Sequence, residues 1–362
     1  MDAPVPGSAR PNLFGLERSA IETVVTDLGE PSFRARQVYT WLYEKRVRSF
    51  AQMTNLKKDL RERLADSFVL DWPELAERQL SYDGTRKYLF RLPDGPAIES
   101  VYIPEEKRRT LCISTQAGCP LRCAFCLTGI AGYERNLKPW EILGQVAAVM
   151  EDAPPRDAMP WNVVIMGMGE PLLNYENTVS ALRVLMDRSG FAVTPKKLTL
   201  STVGILPALE KLMHEPLRPN LAISLHASNK ALRRELMPIE EKYPLEQVIA
   251  AAKRYEVPKG GRVTYEYVLL KGVNDTMQHA RQLVRLLAQT RAKVNLIPLN
   301  TAPQIPFEAP TREAVLAFCR VLADAEMTVS VRKPRGQDIL AACGQLHLKD
   351  AAGAAREAAP AS

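Results

Sequence analysis

Most of the chain alternates short apolar runs with segments long enough to form helices. From about Leu111 onward the runs are TLCIST, VVIMGMGE, KLTLSTVG, LAISLHAS, VTYEYVLL, KVNLIPLN and TVSVRK. Such alternation predicts βα units and an α/β fold whose parallel sheet or barrel binds ligands at the carboxyl ends of the strands. About six strands are too few for a closed eight-stranded barrel. We therefore predict a partial barrel.

The rest of the chain differs in pattern from this repeat. Residues 1–11 are rich in Pro, Gly and Ala and predict a flexible arm, whereas residues 12–78 carry apolar positions at helical spacing, such as Val38, Trp41 and Leu42. RKYLFRLPDG followed by AIESVYIP predicts a β-hairpin connector at 79–104. The barrel then occupies 105–348, and the Ala-rich segment 349–362 predicts a disordered tail.

Composition restricts the class of protein and its partners. The 362 residues are 46% hydrophobic and 25% charged, which is typical of a folded globular protein. No run approaches the roughly 18 apolar residues that a membrane span needs, and the N-terminus lacks the apolar segment of a secretory signal, so we expect a cytoplasmic protein without a membrane partner. The net charge of +7 suits a nucleic acid partner, but many basic enzymes are equally charged.

Three cysteines lie close together in QAGCPLRCAFCLTG, with no fourth nearby. Cys119, Cys123 and Cys126 are spaced C-x3-C-x2-C and can bind three corners of a cubane iron-sulfur cluster, leaving one iron open to a substrate. The alternative is a structural zinc site completed by a distant cysteine. Zinc sites usually carry paired C-x2-4-C segments, and the absence of a second pair favours the cluster.

Polar residues stand at the predicted carboxyl ends of several strands. They are Gly169, Glu170, Ser201, Ser224, His226 and Asn300. Because the carboxyl ends of parallel strands meet at one face of the sheet, these residues predict a ligand site there. By contrast, Cys319 lies in the helical segment AVLAFCRVLADA, which predicts a role in core packing.

The cysteine loop, with Phe125 before its last cysteine, resembles the radical S-adenosylmethionine superfamily. That resemblance implies a [4Fe-4S] cluster on Cys119, Cys123 and Cys126 whose open iron chelates S-adenosylmethionine, in a partial (β/α)6 barrel. Further segments, among them GYERNL, LTLSTVG, YEYVLLKGVND and VRKPRGQDILAACGQL, resemble the RlmN/Cfr group of RNA adenine methyltransferases, and within it the RlmN enzymes. Similar segments run from about Leu13 to Leu346.

The resemblance also implies roles for individual residues. Cys343 corresponds to the methyl-carrying cysteine, Cys112 to the thiol that resolves the enzyme-RNA adduct through a transient disulfide, and Glu99 to the proton acceptor. Adenine C2 is electrophilic and has no lone pair, so it cannot simply attack a sulfonium methyl group; the family uses two cofactor molecules and a methyl-cysteine instead. The resemblance assigns cofactor contacts to Gly169, Glu170, Ser201, Ser224, Leu225, His226 and Asn300.

The implied activity is methylation of adenine C2. The implied substrates are the adenine at the peptidyl-transferase centre of 23S rRNA and the adenine 3′ of the tRNA anticodon. We expect a monomer that is reduced by a low-potential donor such as flavodoxin or ferredoxin. Two alternatives stay open: C8 methylation, which uses the same cysteines in Cfr-type enzymes, and a non-catalytic, zinc-stabilised RNA-binding protein.

Overall fold

The computed structural model describes residues 10–153, 159–255, 257, 261–288 and 290–346. Most of the predicted arm at 1–11 and all of the predicted tail at 349–362 lie outside these ranges. No helix in the described ranges is long and apolar enough to cross a membrane.

Three helices form the N-terminal unit: α1 (Arg18–Asp27), α2 (Phe33–Tyr43) and α3 (Lys58–Ser67). The helical spacing seen in the sequence is a buried face, since Val38 and Leu42 on α2 are fully buried. The Arg48 guanidinium lies over the ring of Trp72, with its Cζ 4.1 Å from the ring centroid. Arg48 also forms an ion pair with Glu151 at 3.1 Å. These contacts join the N-terminal unit to the barrel.

An antiparallel ladder connects this unit to the barrel. Its strands are β1 (Glu74–Leu80), β2 (Arg86–Arg91), β3 (Ala97–Glu105) and β4 (Arg108–Ile113). The pair β2 and β3 corresponds to the two strand patterns in the sequence. The sequence does not predict β1, because its side chains are almost all exposed and show no alternating apolar face.

Strand β4 is also the first of seven parallel strands. The others are β7 (Trp161–Ile165), β8 (Leu198–Thr202), β9 (Asn220–Ser224), β10 (Val263–Leu269), β11 (Ala292–Pro298) and β12 (Thr328–Val331), paired in chain order. A separate two-stranded sheet pairs β5 (Gln116–Gly118) with β6 (Tyr133–Asn136). In the described residues the large sheet runs open from β1 to β12. Together with the helices and the N-terminal unit, this confirms the predicted partial α/β barrel.

Helices connect the strands. They are α4 (Leu127–Ala131), α5 (Pro139–Asp152), α6 (Tyr175–Met186), α7 (Leu206–Met213), α8 (Lys230–Leu236), α9 (Leu245–Arg254), α10 (Met277–Leu286) and α11 (Arg312–Asp324). In strands such as β8 and β11, buried residues alternate with half-buried residues that face the barrel lumen. Cys319 on α11 is half-buried and packs against the core, in line with its predicted role.

Candidate functional site

The cysteine loop begins where β5 ends, and it continues to the start of α4. Gly118 has φ +75°, and a Cβ there would lie 2.1 Å from the Gly132 carbonyl oxygen, so this close approach requires glycine. The Cys119 amide donates to that same oxygen at 2.6 Å. Cys119 and Cys123 are buried, and Cys126 is half-buried. These backbone contacts therefore fix the start of the loop.

All three thiols line one cavity, here called the thiol cavity. Its empty volume is about 940 Å³, counting the solvent at its mouth. It is also lined by seven of the residues singled out in the sequence: Gly169, Glu170, Ser201, Ser224, His226, Asn300 and Cys343. Leu225 is fully buried and does not line it, although its amide donates to the Glu266 carbonyl at 3.0 Å. The prediction that ligands bind at the carboxyl ends of the strands thus locates the cavity, but Leu225 contributes only through its backbone.

Glu170 is held from three sides. Its Oε1 accepts hydrogen bonds from Thr202 Oγ1 at 2.6 Å and the Leu172 amide at 3.0 Å, and its Oε2 accepts one from the Val203 amide at 2.9 Å. Burial raises the pKa of Glu170 to about 7, although these hydrogen bonds lower it. The carboxyl group is therefore fixed in place and sensitive to a nearby cation, which would favour its ionised form.

His226 follows β9 with a left-handed backbone, φ 56°. Such a conformation costs a non-glycine residue on the order of 1 kcal/mol. Two contacts stabilise it: the Val268 amide donates to Nδ1 at 3.0 Å, and the Asn274 amide group donates to its carbonyl oxygen at 3.0 Å. Burial lowers the pKa of His226 to about 3. Since Nδ1 is an acceptor, the ring is neutral and carries its proton on Nε2.

A second cavity, the Cys112 cavity, adjoins the first. Cys112, Cys126, Cys343 and Arg332 line it, and the last three also line the thiol cavity. The two outlying cysteines are far apart in the chain, yet they lie on one cavity, both as free thiols. Cys343 is exposed to both spaces.

The two thiols of the Cys112 cavity differ in environment. Burial and, to a lesser extent, the nearby Cys343 raise the pKa of Cys112 to about 12, although Arg332 lowers it. Cys112 is therefore a neutral thiol at physiological pH. Reciprocally, Cys343 raises the pKa of the Arg332 guanidinium. Together with Lys333 and Arg335 in the same lining, this cation makes the Cys112 cavity electropositive.

Glu99 lies on β3 beside this cavity rather than in its lining. Its Oε1 is 3.1 Å from Lys87 Nζ, and both side chains are almost entirely buried. Val101 and Ile103 lie on the same face of β3, because side chains alternate along a strand, and both line the Cys112 cavity. Glu99 is thus a buried, ion-paired acid on the correct face of the strand, not a surface charge.

Asn300 contacts the segment that carries Cys343. Its Nδ2 donates to the Cys343 carbonyl at 3.1 Å, and its Oδ1 accepts from Gln337 Nε2 at 3.3 Å. The predicted cofactor contact therefore already serves a second purpose, which is to hold the loop of Cys343 at the cavity.

Sequence reasoning missed several residues of the site. Lys87, Thr202 and Arg332 contact or adjoin the predicted groups, and no role was predicted for any of them, although Arg332 lies in the segment VRKPRGQDILAACGQL that carried the resemblance. The segment LSTV could have indicated Thr202, since Thr202 directly follows Ser201 at the end of a strand. Lys87 has no local signal, because its pairing depends on the register of β2 and β3. In the described residues, no group of three or more His, Cys, Asp or Glu side chains is arranged to hold a metal ion.

Both parts of the chain match known families. Residues 11–70 match the ribosomal RNA large subunit methyltransferase N-terminal domain, and residues 113–286 match the radical SAM superfamily. The first match coincides with the helices of the N-terminal unit, and the second begins at the end of β4.

Individual proteins are similar over almost the whole chain. The dual-specificity RNA methyltransferase RlmN of Gluconobacter oxydans (strain 621H) is 45% identical over 347 residues, covering 93% of this chain and 85% of that protein. RlmN of Alkalilimnicola ehrlichii is 46% identical over 336 residues, covering 92% and 93%. The crystal structure of a radical SAM methyltransferase from Sphaerobacter thermophilus superposes with a TM-score of 0.88 at 40% identity, covering 93% of this chain and 99% of that one.

Proposed function

Because the chain belongs to the RlmN family of radical S-adenosylmethionine RNA methyltransferases, we propose that it methylates adenine C2 in 23S rRNA and in tRNA. The observation that carries this proposal is the meeting of Cys112 and Cys343 on one cavity that adjoins the thiol cavity. A carrier thiol and a resolving thiol must lie close together, because a disulfide requires it.

The family membership implies S-adenosylmethionine and a [4Fe-4S] cluster as cofactors, and the residues present fit both. Cys119, Cys123 and Cys126 would hold the cluster, since all three thiols face one cavity. A cluster binds each thiolate to a different iron, so its ligands lie farther apart than those of a single ion. When bound, the two cofactors supply the methyl group and a deoxyadenosyl radical.

The remaining residues of the thiol cavity fit the methionyl and adenosyl parts of the cofactor. Glu170 Oε2 accepts one protein hydrogen bond, which leaves a lone pair for an ammonium group. Gly169 lines the cavity with φ +99°, and a Cβ there would lie 2.5 Å from the Gln116 side chain, so this position requires glycine. Ser201 and Ser224, whose hydroxyl oxygens are 3.3 Å apart, supply further polar contacts.

The chemistry at the cysteines follows from their positions. Cys343 would accept the methyl group through its thiolate, and once that methyl had lost one hydrogen atom to the bound cofactor, the methylene carbon would bond to C2 of the base. The unpaired electron that remains would pass to the cluster. Glu99 takes the C2 proton. Cys112 stays a neutral thiol until this point because its pKa is high, so it does not compete for the methyl group. Its sulfur then attacks the Cys343 sulfur and forms a disulfide as the bond from that sulfur to the methylene carbon breaks, and the Cys112 proton ends on this carbon, which completes the methyl group and releases the base. External electrons, for example from a flavodoxin or ferredoxin, restore both thiols.

A surface for the RNA backbone lies at the end of the barrel lumen opposite the thiol cavity. Seven cations surround a wide opening there, here called the basic mouth: Arg108, Lys196, Lys197, Lys293, Arg332, Lys333 and Arg335. The acids in this lining are Glu105 and Glu266, so the opening is strongly positive. Met166 and Arg332 line it as well as the Cys112 cavity. A phosphate chain bound here would lie beside the route to Cys343.

The N-terminal unit supplies a second cationic surface. Arg10, Arg48, Lys58 and Arg61 line a groove there, and Phe33 is 58% exposed under the Arg34 guanidinium. Exposed cations next to an aromatic ring suit folded RNA, which is bound by phosphate contacts and stacking. We assign to this unit the recognition of RNA shape, acting as part of a monomer.

Nucleoside mass spectrometry tests the proposed function. Anaerobic protein reconstituted with iron and sulfide is incubated with cofactor, a reductant and either 23S rRNA or tRNA, and the RNA is then digested. We expect 2-methyladenosine from both RNAs and a brown protein that bleaches on reduction. Recovery of 8-methyladenosine would identify a C8 enzyme instead. A colourless zinc protein that binds RNA without methylating it would overturn the assignment altogether.

A further inference from the structure

The segment carrying Cys343 is fastened to a turn outside the barrel. This segment, residues 336–346, is here called the Cys343 loop, and the turn that joins β1 to β2, residues 81–85, is called the hairpin turn. Asp338 Oδ1 accepts a hydrogen bond from Ser81 Oγ at 2.6 Å, and its Oδ2 accepts one from the Tyr82 amide at 3.3 Å. Asp83 Oδ2 accepts one from the Gly336 amide at 3.1 Å. Each partner therefore contributes one aspartate.

The hairpin turn is itself rigid. Asp83 Oδ1 accepts a hydrogen bond from the Thr85 amide at 2.9 Å, and the Ser81 amide donates to the Thr85 carbonyl at 2.8 Å. Partial burial raises the pKa of Asp83, but hydrogen bonds from Thr85, Gly336 and Ser81 outweigh it and lower the pKa overall, so the carboxylate is ionised. An ionised acceptor makes stronger hydrogen bonds than a neutral one. The turn thus presents a fixed anion to the loop.

Close packing makes this contact specific. Gly336 adopts φ +62°, and a Cβ there would lie 2.9 Å from Thr85 Cγ2 and 2.8 Å from the Ala341 Cβ. Leu340 is also left-handed, with φ 51°. Gly344 is left-handed too, with φ 80°, and the non-glycine Leu340 keeps this conformation only if its surroundings hold it. The hairpin turn supplies that support at the start of the loop.

The other end of the Cys343 loop is held by the barrel. Asn300 Nδ2 donates to the Cys343 carbonyl, Gln345 Nε2 donates to the Thr301 carbonyl at 2.8 Å, and the Leu127 amide donates to the Gly344 carbonyl at 2.8 Å. Cys343 therefore lies between two anchors, one on the barrel and one on the antiparallel ladder. The position of its sulfur depends on both.

We propose that Asp83 and Asp338 are positioning residues that set Cys343 in register with Cys112 by fastening its loop to the hairpin turn. Neither aspartate lines the Cys112 cavity or the thiol cavity, so both act through the loop. This inference rests on the proposed function only for its importance to catalysis. The placement of the two thiols can be measured without any methyl transfer.

The experiment measures how readily the two thiols pair. Cluster-loaded protein is equilibrated anaerobically in glutathione redox buffers, and the Cys112–Cys343 disulfide is quantified by peptide mapping. In Asp83→Ala/Asp338→Ala we expect the effective concentration of the two thiols to fall about tenfold or more, because the sulfur samples many positions. The Asp338→Asn variant keeps an acceptor for Ser81, so its thiols should pair much more readily than those of the double alanine variant. Tyr82→Ala is the matched control: it removes an exposed side chain from the same turn but keeps the amide that binds Asp338.

A second readout separates positioning from general damage. At saturating RNA, the double aspartate variant should lose about tenfold in kcat with little change in KM, and it should release more deoxyadenosine per methyl group transferred. Disulfide pairing equal to that of the unsubstituted protein would overturn the inference, even in an active enzyme. The expected loss of pairing in the double aspartate variant, together with an unsubstituted protein that never methylates adenine C2, would instead overturn the proposed function and leave the positioning intact.

Discussion

Lys87 Nζ lies 3.1 Å from Glu99 Oε1, with both side chains buried between adjacent antiparallel strands. In the register of β2 and β3, Leu89 faces Glu99 and Lys87 faces Val101, so the two charges are diagonal neighbours on one face. A buried pair of this kind fixes the orientation of the carboxylate.

Removing the Lys87 ammonium group alone should destabilise the fold. Breaking a buried ion pair by losing one partner costs about 3 kcal/mol or more, so we expect Lys87→Met to lower the free energy of unfolding by that order. The double variant Lys87→Met/Glu99→Gln should recover much of this loss, as measured by urea denaturation. Lys58→Met breaks the exposed pair with Glu62 and should change stability by less than about 1 kcal/mol. Strictly additive effects of the two buried substitutions would contradict the coupling.

The two outlying cysteines should have separable defects. Cys112→Ala should accumulate a covalent RNA adduct through Cys343, visible as a shifted band on a denaturing gel. Cys343→Ala should transfer no methyl group to RNA while reductive cleavage of the cofactor persists. Cys319→Ala is the control, since this thiol on α11 lines neither cavity. RNA-free Cys112→Ala protein with full activity would remove that residue from the chemistry.

His226 should make stability depend on pH. Its pKa of about 3 lies below the usual value of 6.5, so the unfolded chain binds a proton that the folded chain refuses between these values. Stability is therefore present above pH 6.5 and is lost as the pH falls toward 3. Between pH 7 and 5 the loss attributable to this ring is about 2 kcal/mol. In cluster-free protein, His226→Asn should weaken this dependence by that amount, and an unchanged slope would contradict the prediction.

Neutralising the basic mouth should weaken RNA binding through its salt dependence. For every phosphate that the variant no longer neutralises, the slope of log affinity against log salt should fall by about 0.7 to 0.9. We expect Lys196→Ala/Lys197→Ala/Lys293→Ala to show a shallower slope in fluorescence anisotropy, with cofactor binding unchanged. Lys253→Ala, an exposed cation on α9 outside this opening, is the control. Slopes equal to that of the unsubstituted protein would place the RNA elsewhere.

Local patterns accounted for the parts of the site that local geometry creates. The spacing of Cys119, Cys123 and Cys126 and the strand-end positions of Glu170 and His226 are properties of short segments, and all five residues line the thiol cavity. The fold class was accessible for the same reason, because alternating βα units have few solutions.

Long-range relationships were not accessible from residue patterns. The pairing of Lys87 with Glu99 depends on strand register, and β1 carries no apolar alternation to reveal it. The approach of Cys343 to Cys112 depends on the return of the chain after β12, and only the family resemblance indicated it. The contact between Asp338 and the hairpin turn joins segments from opposite ends of the chain, for which neither spacing nor composition gives a signal.

Cys343 lines both cavities, and this sets a stoichiometric limit on the enzyme. If this single sulfur receives the methyl group and also delivers it, each chain can hold only one methyl group in transit. Protein charged in advance and mixed with excess RNA, without further cofactor for recharging, should then show a burst whose amplitude does not exceed one methyl group per chain.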